Sequence, residues 1–80
     1  MATFTREYFR EELLRFRQLM SEKSFYEGMD RPTEWRGSKA WYGLLYVYAN
    51  TDNLEESDLS LMQATQLEYD RRLQYMLFKV

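Results

Sequence analysis

Residues 41–50 read WYGLLYVYAN, ten residues without a charge in a chain that is 30% charged. A segment that is apolar nearly all round must be covered from several sides, so the rest of the chain has to fold around it. As a strand, it would turn Trp41, Gly43, Leu45 and Val47 one way and Tyr42, Leu44, Tyr46 and Tyr48 the other. As a helix, Trp41, Leu45 and Tyr48 make one stripe with Leu44 beside it, and Tyr42, Tyr46 and Ala49 cover the opposite side. Periodicity does not arbitrate an all-apolar run. Two facts favour the helix: Val47 is its only β-branched residue, and no other segment offers a matching strand to pair with. Gly43 then sits inside a helix at a cost of about 1 kcal/mol relative to alanine.

The segments on either side supply candidate covers. Residues 3–23 read as an amphipathic helix capped by Thr3 or Thr5, with Phe9, Leu13, Phe16 and Met20 in one stripe and Glu11–Arg15 at pairing distance. A last helix starts near Ser57–Asp58. Along it Leu59, Met62, Gln66, Tyr69, Leu73, Met76 and Val80 recur at alternating spacings of three and four, a heptad seam with one polar member. The favoured reading makes that seam a core face of this chain, and the alternative makes it a self-associating coiled coil with Gln66 fixing register. Residues 24–39, which hold the single proline and two of the three glycines, read as punctuation. Asp30 is a cap candidate for a turn at Arg31–Pro32, and Gly37–Ser38 reads as a second break with Ser38 capping the helix that follows. The expected fold is all-α: one small three-helix bundle-like domain over residues 1–80, with an irregular connection between helices 1 and 2. Phe25, Tyr26 and Trp35 in that connection are candidates to close the third side of the middle helix, as an alternative to leaving that side for a partner.

A chain of this length buries only about 60% of the surface its unfolded form exposes. It has no cysteine and no histidine, so disulfides, thiolate zinc sites and imidazole chemistry are out of reach. Aromatic residues, 18% of the chain, are what remains to build a core. Nucleophilic triads lack their histidine, there is no glycine-rich phosphate loop, and the carboxylate pairs Glu11–Glu12 and Glu55–Glu56 are adjacent residues that do not face each other on a helix. The expectation is a protein that is not an enzyme and takes no cofactor or metal. With a net charge of −2 and no basic run ahead of an apolar stretch, direct nucleic-acid binding, a signal peptide and a membrane span are not favoured, and a cytoplasmic location is expected.

Three surfaces could act. Asp52, Glu55, Glu56 and Asp58 form an acidic run, with no base between Lys39 and Arg71. They suit the positive end of the last helix, or the basic groove of a nucleic-acid-handling protein. Arg6, Arg10 and Arg17 fall on one flank of the first helix, either pairing with glutamates of the same chain or meeting an acidic partner, and arginine outnumbers lysine eight to three. Tyr42 and Tyr46, with Tyr75, Phe78 and Met29, make an aromatic and methionine surface of the type enriched at interfaces. These features point to a small protein-binding regulator or inhibitor, of the kind with which a phage or mobile element blocks a host nucleic-acid-handling or defence machine by occlusion. The alternative is an assembly subunit or homodimer built on the heptad seam.

Overall fold

Thr5 fixes where the first helix begins. Its hydroxyl accepts a hydrogen bond from the Tyr8 amide at 3.1 Å, satisfying one of the unpaired donors of the first turn. The helix it opens, α1, runs Arg6–Met20 and buries its whole expected stripe of Phe9, Leu13, Phe16 and Met20. In the computed structural model described here, which covers residues 4–27 and 35–78 (backbone only for Tyr26 and residues 75–78), α1 is followed by a single 3-10 turn, Lys23–Tyr26, and by α2, Arg36–Ala49, and α3, Glu56–Phe78. The fold is therefore the expected all-α three-helix architecture, and residues 41–49 are helical, with Asn50 as the C-cap. Arg15 pairs with Glu12 at 3.2 Å, not with Glu11. The expected turn at Asp30–Pro32, and Thr3, Met29 and Val80, lie outside the described residues.

Helix α1 is the common wall. Phe9 meets Tyr48 near its start and Phe16 meets Trp41 near its end, so α2 runs antiparallel to it. Arg6 reaches Asp58 and Arg72 reaches the Met20 carbonyl, so α3 runs parallel to it. The Arg72 guanidinium donates to that carbonyl at 3.1 Å, at the end of α1. At 1.5 Å per residue α3 is about 34 Å long against about 22 Å for α1, so it extends past its neighbours.

The sequence reading is corrected at three points. First, Gly37–Ser38 is no break. Trp35 is the residue that precedes α2, and Gly37 lies in its first turn. A Cβ on Gly37 would stand 2.4 Å from Trp35 Cζ2 and 2.8 Å from Phe25 Cζ, so the missing side chain is the space those two rings occupy. Second, the inward stripe of α2 is Trp41, Leu44 and Val47, with Leu45 and Tyr48 only half-buried, because the helix is rotated toward α1. Third, the buried face of α3 is Asp58, Met62, Thr65 and Tyr69, with Leu73 half-buried; Leu59 and Gln66, members of the expected seam, are exposed. Polar groups cause that last shift. Arg6 and Arg10 draw Asp58 inward, and Arg17 draws Thr65.

The core is mostly aromatic. The ring of Tyr69 is stacked between two indoles, Trp41 at 4.9 Å and 16° and Trp35 at 6.1 Å and 13°. Phe16 and Phe25 close its edges at 5.7 and 6.3 Å. The indole N–H of Trp35 donates to the Phe25 carbonyl, so its polar atom is satisfied inside the core. Burial pushes the Tyr69 phenol up to about 12. Phe25 and Trp35 thus come from the irregular connection into the core, as one reading of the sequence expected, yet they close the Tyr69 end of the bundle and leave Tyr42 and Tyr46 exposed.

Candidate functional site

Two polar or aromatic constellations lie outside the core, on opposite flanks of α1. The first joins α1 to α3. The Nε–H groups of Arg6 and Arg10 donate to the two oxygens of Asp58, at 2.5 and 2.9 Å, and the Glu55 amide donates to Asp58 at 2.9 Å. Asp58 stands at the third position of α3 and reaches back to the residue before it, half of a capping box. Its carboxyl is held well below the usual carboxylate range, chiefly by the Arg6 hydrogen bond and then by the Glu55 amide. Arg6 Nη2 also lies 3.0 Å from Glu55 Oε2, an ion pair without hydrogen-bond alignment. Two turns further along, Arg17 donates to the Thr65 hydroxyl at 2.8 Å and lies 3.3 Å from Glu68.

Arg6, Arg10 and Arg17, all candidates for partner contact, are therefore engaged within the chain, and so are Asp58 and Glu55. Asp58, at 4% exposure, is buried between the helices, while Asp52, Glu55 and Glu56 remain exposed. Beside this seam Leu14 and Leu61 flank a shallow 250 Å³ hollow, with Leu14 at 60% exposure.

The second constellation is aromatic. Tyr42 and Tyr46 stand one turn apart on the outer face of α2, 66% and 60% exposed. Tyr46 meets the edge of Phe4 at 5.8 Å, and Phe4 stacks on Tyr8 at 5.1 Å and 14°. The N-terminal segment is held there by the backbone: the Phe4 amide donates to the Asn50 carbonyl at 3.1 Å, and Phe4 makes an isolated parallel bridge with Thr51. Tyr46, Phe4 and Tyr8 thus form a continuous ridge from α2 to α1. Next to it Gly43 opens a trough of about 290 Å³, floored by Phe16, Ala40, Leu44 and Val47. A Cβ on Gly43 would meet nothing within 4 Å, so this glycine widens a surface trough where Gly37 admits two core rings.

Phe4 and Tyr8 escaped the sequence reading. Both lie off the main α1 stripe, and their four-residue spacing is the one signal that could have joined them. The side chains of Tyr75 and Phe78, and all of Met29, lie outside what is described. Among the described residues no group of three or more carboxylates is arranged to hold a metal ion, and no helix is long and apolar enough to cross a membrane. No family model, no curated protein and no solved structure matches this chain.

Proposed function

We propose that this chain is a small non-catalytic binding protein that regulates or inhibits a protein partner by covering part of its surface. The observation that carries the reading is the outer face of α2. Two tyrosines remain more than half exposed on a helix whose other faces pack inward, although the chain has rings enough to close over them and uses Phe25 and Trp35 elsewhere. A ring with one wet end forms large contacts at low entropic cost, which is why tyrosine recurs at binding hot spots. The adjoining ridge and trough give that face relief into which a partner's side chains could fit.

The test is a double substitution, Tyr42→Ala with Tyr46→Ala. Tagged protein is recovered from its native host and the associated proteins are compared by mass spectrometry. The wild type is expected to retain a partner that the variant loses, with the helical circular-dichroism signal unchanged. A variant that keeps the same partner at the same recovery removes the proposed anchor. The competing reading, a homo-oligomer on the α3 seam, is disfavoured by Met62 and Tyr69, which are packed inside the chain and leave Leu59 and Gln66 as the exposed seam members among the described residues. Light scattering over a concentration series should give the monomer mass throughout.

A further inference from the structure

We infer that Phe4 is a positioning residue for the tyrosine face, and that the segment carrying it is a strap that decides whether Tyr46 is held ready for a partner. The inference rests on the reading that this face is the docking surface. Tyr42 and Tyr46 are exposed to nearly the same degree, yet they are held differently. The Tyr46 ring takes the Phe4 ring edge to face at 5.8 Å and 78°, and Phe4 is itself stacked on Tyr8 at 5.1 Å and 14°. Tyr42, one turn earlier, meets no ring among the described residues.

The backbone makes the same connection a second time. The Phe4 amide donates to the Asn50 carbonyl at 3.1 Å, and the Asn50 side-chain amide donates to the Tyr46 carbonyl at 2.8 Å. Phe4 thus touches Tyr46 through its ring and reaches it again through Asn50. Thr51, which bridges to Phe4, donates its hydroxyl to the Val47 carbonyl at 2.6 Å. The last turn of α2 is therefore closed by Asn50 and Thr51, and the strap is fastened to those two residues. A surface ring held before contact loses less freedom on binding than one that must be ordered, so Tyr46 is the anchor of the pair and Tyr42 the adaptable contact. The strap is the weaker part of this arrangement. An isolated bridge and two ring contacts fasten the half-buried Phe4, so the strap lifts at a lower free energy than the helices unfold. Lifting also frees Tyr8, which lines the trough beside Gly43. Capture of the strap by another molecule therefore weakens the docking face without touching either tyrosine of α2.

The test compares the wild type with Phe4→Leu and Phe4→Tyr by nuclear magnetic resonance of protein labelled at its tyrosine rings. In the wild type the Tyr46 ring is expected to be ordered and shifted by the Phe4 ring current, and the Tyr42 ring to be mobile. Phe4→Leu should move the Tyr46 and Tyr8 signals toward those of a free tyrosine, while Tyr42 and the core ring of Tyr69 stay in place; Phe4→Tyr should keep the wild-type pattern. A Tyr46 ring as mobile as Tyr42 in the wild type, or one that Phe4→Leu leaves unmoved, overturns the inference. In the native-host experiment Phe4→Leu should bind the partner roughly twofold to tenfold more weakly, the range that ordering one side chain on binding costs. On a Tyr46→Ala background the same change should cost nothing further, and an additive loss there would mean that Phe4 meets the partner directly, which ends the positioning role. The two proposals fail separately. A partner lost from the Tyr42→Ala/Tyr46→Ala protein but kept at full recovery by Phe4→Leu leaves the docking face standing and ends the strap. A partner kept by the Tyr42→Ala/Tyr46→Ala protein ends the docking face itself.

Discussion

The two aromatic groups of this molecule are made of the same residue types and have opposite fates. Around Tyr69, the rings of Phe16, Phe25, Trp35 and Trp41 stack and lock edge to face at centroid distances of 4.9–6.3 Å, and all five residues are buried. Around Phe4, the rings of Tyr8 and Tyr46 make pair geometries that are just as good, yet both tyrosines are exposed. Ring–ring geometry therefore does not distinguish a core from a surface here. What differs is the number of elements that converge. The Tyr69 cluster receives side chains from α1, α2, α3 and the connection after α1, whereas the Phe4 cluster receives them from the N-terminal segment, α1 and α2.

If the comparison is right, the largest effect belongs to the enclosed cluster. Tyr69→Ala removes the ring between two indoles and should destabilise by about 3–5 kcal/mol, read as a lower denaturant midpoint; a loss comparable to that of an exposed tyrosine would mean the stack contributes little. Gly37→Ala should follow, at about 1–3 kcal/mol, because the new methyl collides with rings that cannot swing away. Unchanged thermal stability in that variant would show that the packing of Trp35 and Phe25 is looser than described.

A smaller loss is expected for Asp58→Asn, which leaves Arg6 and Arg10 without their carboxylate. Its sign with pH is fixed. The folded-state pKa is depressed below the unfolded value of about 4, so the contribution is complete above that pH and disappears as pH falls below it. Thermal melts of wild type should decline below about pH 4 more steeply than those of the variant, and parallel curves would place the acid sensitivity elsewhere. The smallest change is a gain. Gly43→Ala puts a methyl into open space in the middle of a helix and should stabilise by up to about 1 kcal/mol. The pair Gly37 and Gly43, in one helix and opposite in sign, is the sharpest form of the comparison.

Much of the architecture could be read from the chain. The α1 stripe follows from spacing, a cap at Thr3 or Thr5 from residue type, with the structure choosing Thr5, and the helical middle segment was favoured by its single β-branched residue and the absence of a partner strand. The face of α3 could not be read this way. Its apolar repeat names Leu59 and Gln66, but the molecule buries Asp58 and Thr65, because three arginines of α1 lie alongside and a carboxylate or hydroxyl held by a guanidinium is stabilised where a leucine would face charge. Of the candidate site, Tyr42 and Tyr46 were legible as polar-tipped rings on an over-apolar helix. Phe4 and Tyr8 were not, since what joins them to Tyr46 is a backbone hydrogen bond across 46 residues, from Phe4 to Asn50.

The sequence by itself determined the apolar stripe of the first helix and that the core would be largely aromatic, since rings are the main apolar mass that a chain of this length offers. Only the tertiary structure decided which rings are enclosed and which arginines are engaged. The physical reason is that helix formation depends on neighbours three and four residues away, whereas burial depends on which elements arrive at the same place, and that is settled by contacts between segments far apart in the chain.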